Sequence, residues 1–596
     1  MPAKDKDHRH PYFSGNYAPI FTLQDSQPCE FQGRIPDELI GGQYVRNSSN
    51  SIQYDDHRDW HWFDGDGMLS GVFFERKPSS AEVQPLYSNR YILTDVHCAT
   101  ARQPKIGPIL TSVSTLINPW VSPLRVFLDI LRCMTLVFAS IFGFVARPIR
   151  RLSTANTNIL YHDGRALATN ETGPPMRIYL PSLQTVGWFN GSNAEGEPPA
   201  EIPGPFFGGP GVDGFLNEMT TAHPHVDPQS GELILFHTTF TYPFVHYSIV
   251  SPGWSLKLGR FLNQPVSGFT AGKLMHDFGV SRKHTIMLNL PLSLDPSNIP
   301  CNKPVVQYDP HCPTRFGVFD RYCPAQIQWY ETEACCILHT VNSWDETVTQ
   351  GTRVHMLVCR MNSIAPLYHM GDLDAPREAT TQEPECRLYY YRFPADKSNQ
   401  ITEQWALSAI PFEFPRVPPH LEMGATRFVY GCSMTEGNFV ATHKTSVKID
   451  CLVKIDVQNL LQQAEQRPQL QVNGCVDQRS IKEILATNDE QDPIQVFALP
   501  HGWYAQECSF VKRNGGTSED DGWLVTYVFD ESQLDANGDA PVTSRSELWV
   551  IDAHTMRDVV AKVLLPQRVP YGMHGNWFSE EQVLNQREVD EFRSLD

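Results

Sequence analysis

Short runs of β-branched and aromatic residues, each closed by a turn signal, recur along most of this 596-residue chain. Residues 158–161 (Asn-Ile-Leu-Tyr) and 166–169 (Ala-Leu-Ala-Thr) flank His162-Asp163-Gly164-Arg165. An Asp-Gly pair supplies the left-handed backbone positions of a tight hairpin, so the stretch predicts two antiparallel strands. Similar units stand at 231–250, after Asp227-Pro228, and at 522–529 and 547–552. An array with so many strands must expose long edges or close on itself, and a propeller closes it with short protected edges. The expected class is therefore all-β. No clean short repeat is visible, so any blades have diverged.

The 46 prolines and 39 glycines punctuate these runs. The longest loop-like stretch, 187–214, reads as a surface excursion or lid, and the polar stretch 462–471 as a linker between strands. Residues 1–29 form a polar extension and 585–596 a charged tail. Residues 1–17 lack the apolar core of a secretory signal, which places the protein inside the cell, in the cytoplasm. Fourteen irregularly spaced cysteines, with Cys335 and Cys336 adjacent, suit reduced thiols. His311, Cys312 and Cys323 are conceivable zinc ligands, but no Cys-x-x-Cys pair supports them. A net charge of -19 argues against a nucleic-acid partner, since no broad basic face is available to neutralise phosphates.

Residues 106–151 stand apart. They hold two apolar runs, 106–124 and 133–146, split by Arg125, Asp129 and Arg132. The second is short of the roughly 17 to 25 residues a membrane-spanning helix needs. Arg132, Arg147, Arg150 and Arg151 flank it, suited to anionic headgroups. The segment reads as one that dips into one leaflet, as a peripheral contact through Leu131, Leu136, Val137, Phe138, Ile141, Phe142 and Phe144. A helix packed in the core and a transmembrane span are the alternatives.

Four histidines occur in distinctive settings: His223 in Ala-His-Pro-His-Val-Asp-Pro, His276 in Met-His-Asp-Phe, His339 in Leu-His-Thr-Val-Asn-Ser-Trp and His574 in Met-His-Gly-Asn-Trp-Phe. Four neutral imidazoles from remote segments, with no cysteine nearby, suit a transition metal kept open for chemistry. Glu413 stands between Phe412 and Phe414, where a carboxylate is costly unless partnered. Phe63-Asp64-Gly65-Asp66-Gly67 reads as a tight turn, since it lacks the further oxygen ligands and closing glutamate of a calcium loop. Phe236, Phe240, Tyr242, Phe244 and Tyr247 could line a tunnel, though most such aromatics are ordinary core.

Together with Tyr44-Val45-Arg46-Asn47 and Phe63-Asp64-Gly65-Asp66-Gly67-Met68, the four settings resemble the carotenoid oxygenases, over roughly residues 30–580. The resemblance is greatest to fungal members. It implies one domain over 30–584: a seven-bladed β-propeller with a helical and loop cap over its metal-bearing face, the 106–151 insertion contacting a membrane. It further implies a ferrous ion (Fe2+) held by His223, His276, His339 and His574, with Glu171, Glu413 and Glu507 accepting from the ligands' other ring nitrogens. Where many relatives carry lysine this chain has His225, so His223 is the implied ligand of that motif. Ser48-Ser49 replaces a frequent Gly-Pro, and Asn170 stands where stilbene-cleaving relatives carry a lysine, which disfavours a small phenolic substrate. The implied activity is oxidative cleavage of one double bond of a carotenoid or apocarotenoid, torulene being the specific expectation. Its partners are an apolar polyene and molecular oxygen, with no organic cofactor. Stilbene cleavage, non-oxidative isomerohydrolysis and lipid carriage are the alternatives.

Overall fold

The computed structural model describes residues 9–595 apart from 54–58, 78–81, 146, 200–205, 210–216, 254–260, 302, 377–384, 396–398, 402, 441–445, 468–471 and 488. Seven sheets of four to six strands form the blades of a propeller, with one two-stranded ribbon beside them. The Asp-Gly hairpin forms as expected: Asn158–His162 and Arg165–Thr169 pair with His162 opposite Arg165, and Asp163 and Gly164 both have positive φ, 48° and 76°. That geometry twists the turn in the same sense as the strands.

Both chain ends close the ring. Gln43–Ser49 pairs with Gly575–Phe578, and Glu30–Gly33 pairs with Val559–Leu564, so two sheets each combine strands from opposite ends of the sequence. Before these strands, Tyr12 and Tyr17 are buried in the largest apolar cluster, and the Tyr17 hydroxyl donates to the Val447 carbonyl at 2.7 Å. Gln24–Pro28 pairs with Val83–Tyr91 as an edge strand. The C-terminal residues are pinned by charge: Arg587 to Asp163 at 2.7 Å and Arg593 to the buried Asp95 at 2.6 Å. All fourteen cysteines are free thiols.

The insertion folds differently from its reading as two runs. Arg125 and Asp129 lie inside one continuous helix, Pro123–Ile141, that starts on a proline suited to the first helical position. One face, Val126, Cys133, Val137 and Ser140, is buried. Leu124, Phe127, Leu128, Leu131, Phe138 and Ile141 lie on the other and are exposed, with Trp120 before the helix and Phe142 and Phe144 after it. Val137 therefore does not face outward, because it packs with Cys133, Val96 and Ile149, and Leu136 is half-buried against the same cluster. The arginines are also partly spoken for. Arg132 donates to the carbonyls of Pro108 and Ile106, and Arg151 pairs with Glu218 at 2.5 Å. Among the described residues, no helix is long and apolar enough to cross a membrane.

Other expectations meet the structure unevenly. Residues 462–465 belong to the helix Val457–Glu465 rather than a linker, and 468–471 lie outside the described residues. Gly187 and Trp188 end the strand Gln184–Trp188, while 200–205 and 210–214 of the expected lid lie outside the described residues. Phe236 and Tyr247 are core, and Phe240 and Tyr242 are exposed. His311, Cys312 and Cys323 do not form a metal-type cluster; Cys312 donates to Asp309 instead.

Candidate metal centre

Each blade contributes one residue to the axis. In chain order the seven sheets supply Glu171, His223, His276, His339, Glu413, Glu507 and His574, each within or beside a strand of its sheet. Local irregularities aim them. The register of Cys336–Val348 shifts on both sides of Thr340, next to His339. It shifts again between Glu413 and Arg416, where Phe414 is left-handed at φ 52°. Bulges of this kind redirect a side chain that regular alternation would send elsewhere. After His574 the chain needs glycine: a Cβ on Gly575 would stand 2.8 Å from the Tyr44 hydroxyl oxygen.

One ring nitrogen from each of His223, His276, His339 and His574 lies within 4.8 Å of the other three. Three of the four carry a carboxylate on Nδ1. His339 donates to Glu413 at 2.6 Å, His574 to Glu507 at 2.9 Å, and His276 pairs with Glu171. A neutral imidazole that donates from Nδ1 presents a bare Nε2 lone pair. The Nε2 of His339 is buried with no hydrogen-bond partner, and those of His223 and His276 face each other at 2.9 Å. Buried lone pairs pointed at a common centre are costly, and a cation between them resolves the cost. His225, two residues on, turns away to Asp277 and the Phe278 carbonyl.

Electrostatics keep two of the four rings neutral. Burial, then the neighbouring His276, His574 and His339, holds His223 well below the usual histidine range. Burial also lowers His574 to about 4, against the pull of Glu507, so both rings stay neutral as metal ligands must. Burial alone would raise Glu507, but Arg416 and then His574 more than reverse it. Arg416 reaches Glu507 at 2.7 Å and the Gly575 carbonyl at 2.6 Å. For His339 burial is outweighed by the Glu413 carboxylate, which raises it.

The flanking motifs now have roles. Asn47 accepts nothing from the cluster but ties its frame: its amide nitrogen donates to the carbonyls of Ala155 and Asn158, and its backbone N–H to the His574 carbonyl at 2.9 Å. Tyr44 donates to the Glu507 carbonyl at 3.0 Å. Asp64 accepts from Ser112, Val113 and His61, and Asp66 from His97 and Ile52, so the turn's carboxylates are occupied by protein donors.

Above the imidazoles lies a cavity walled by Trp62, Phe63, Leu338, Met361, Pro366, Met370, Phe414, Phe439, Val447 and Met573. Thr157, Asn170, Glu171 and Glu413 are polar exceptions beside His276, His339 and His574. The sequence aromatics singled out as tunnel candidates are not among them. Met361, Met370 and Phe439 carried no local motif, and Arg416 was hidden because strand alternation would put it opposite Glu413 until the bulge intervenes.

Fold and centre define a class: seven-bladed propellers that gather four imidazoles on the axis under an apolar cavity. The family model described as RPE65, retinal pigment epithelial membrane protein, matches residues 17–579, and the chain belongs to this family, the carotenoid oxygenases. It is 46% identical to the carotenoid dioxygenase carX of Gibberella fujikuroi, over 99% of this chain and 92% of that protein. It is 28% identical to the carotenoid 9,10(9',10')-cleavage dioxygenase of Crocus sativus, over 97% and 91%. The lignostilbene dioxygenase of Pseudomonas brassicacearum has the same fold, with a TM-score of 0.67 at 20% identity, covering 96% of this chain and 99% of that one.

Proposed function

We propose that His223, His276, His339 and His574 hold one ferrous ion, and that the protein uses it to split a double bond of a carotenoid or apocarotenoid into two carbonyl products. The observation carrying this is the convergence of four ring nitrogens within 4.8 Å, three of them set by carboxylates on the opposite nitrogen. Bound iron supplies the redox partner that lets molecular oxygen react with a closed-shell polyene. The chain does the rest. The carboxylates of Glu171, Glu413 and Glu507 hold the ring tautomers and balance charge without occupying the centre. Trp62, Phe63, Phe414 and Phe439 offer aromatic faces to a flat polyene and exclude water from it. How far the chain slides against these walls selects the bond.

Asn170 is committed, donating to Asn156 at 2.8 Å and accepting from Thr172 at 2.6 Å, so it offers a phenol no cation. This favours a carotenoid over a stilbene, with torulene as the specific substrate. Access is proposed from a lipid surface, through Leu131, Phe138, Ile141, Phe142 and Phe144 together with Trp120, Leu124, Phe127 and Leu128, all exposed on the insertion. In the preceding helix, Val113–Ile117, Ser114 donates to the Trp60 carbonyl at 2.7 Å, two residues before the cavity-lining Trp62. Purified protein, reconstituted with Fe(II), should convert torulene to an apocarotenal with uptake of one oxygen molecule per cleavage. Cleavage of resveratrol alone, or product without oxygen uptake, would overturn the reading.

A further inference from the structure

A second, larger space reaches three of the same imidazoles, His223, His339 and His574. Its lining draws on all seven blades, from Ile159 and His225 round to Phe510 and Asn576, so it runs along the propeller axis. Three strands show that it lies across the imidazoles from the apolar cavity. Leu338 lines the apolar cavity, His339 both spaces and Thr340 to Ser343 the axial one. The same order holds through Met573, His574 and Asn576, and through Phe414 and Pro415. His223 faces the axial space and not the apolar cavity.

The two walls differ in charge. Glu38, Asp277, Glu422, Glu507, Glu580 and Glu581 are among the carboxylates of the axial space, with Arg416 and Lys512 as its cations. Asp277 is bonded to His225 and Thr340, and Glu507 to His574, Arg416 and the Gly575 N–H. The Glu422 backbone N–H donates to the Pro419 carbonyl, while its carboxylate makes no hydrogen bond or ion pair among the described residues. A hydrated divalent cation loses too much solvation to cross a wall of methionine and phenylalanine, whereas a water-filled, carboxylate-lined passage concentrates it.

We propose that the axial space is the route by which the metal reaches the imidazoles, and that Glu422 is the carboxylate that receives it and passes it on. This rests on the four-imidazole reading above. A residue on a route, as distinct from a ligand, changes the rates of entry and exit by the same factor and leaves the affinity alone. The test uses full-length protein stripped of metal, with Co(II) as the probe, and measures uptake rate, release rate to a chelator and dissociation constant. Glu422→Lys should slow uptake and release alike by about tenfold, and Glu422→Gln by about threefold, with Kd unchanged, within the span of electrostatic steering. Uptake by the wild type should also slow as salt is raised. Rates equal to wild type in both variants, or a shift in Kd, would overturn the route. A wild-type protein that takes up no stoichiometric Co(II) strikes the four-imidazole reading itself, so the two failures are told apart.

Discussion

The apolar cavity and the axial space meet at His339 and His574 and are built from neighbouring residues of the same strands, yet one is walled mostly by apolar side chains and the other gathers many carboxylates. The difference comes from position along each inner strand, since a step of one or two residues past a histidine changes which space a side chain enters. A propeller axis thus gives one cluster of imidazoles two unlike environments without a second domain. Under the proposed route, oily substrate and hydrated ion need not compete for one door.

The sharpest break of this arrangement is at the shared boundary. His339→Ala should remove a ring common to both spaces, and metal content and product yield should fall by more than the roughly 10 to 100-fold typical of losing an outer partner; retention of full metal content would sink the boundary. Glu413→Gln keeps the ring but loses its carboxylate, so affinity or turnover should drop within that roughly 10 to 100-fold range, read by metal titration. Sharpening the apolar side alone, Val447→Asn should raise KM for a polyene about tenfold while metal content stays whole, because an unpartnered buried amide costs about 1–3 kcal/mol. Equal loss of metal would show that the two spaces are not separable. Replacing Phe138, Ile141 and Phe142 together by Ser should weaken binding to vesicles by about tenfold or more in a flotation assay, since each buried apolar side chain contributes roughly 1.5–3 kcal/mol. Turnover of detergent-dispersed substrate should be unchanged. The smallest effect is expected at Tyr44→Phe, which loses one hydrogen bond to the Glu507 carbonyl, about 1 kcal/mol of stability in a denaturant titration, with the metal still bound.

Much of this was legible in residues 158–169, where Asp-Gly fixes a hairpin, and in the four histidine settings, whose unusual neighbours marked them before any contact was known. Glu413 was legible because two phenylalanines left its charge nowhere else to go. What the sequence hid was geometry that depends on register. Val137 belongs to the same apolar run as Phe138 but points inward, because a helix sorts residues by angle and not by run. Leu124, Phe127 and Leu128 share the outward face although Arg125 and Asp129 interrupt them, and Arg125 is drawn aside to Asp59 at 3.3 Å. Glu422 and Arg416 gave no signal at all, since nothing local says that their loop and strand border the axis.

The pairing of Gly575–Phe578 with Gln43–Ser49 gives the last strand a double duty. It is the clasp that shuts the ring, and the residue just ahead of it is His574. During synthesis the first three imidazoles leave the ribosome long before the fourth, so a nascent chain holds only part of the centre. Completion of the site and completion of the fold are one event, and a chain cut short near its end should forfeit both together.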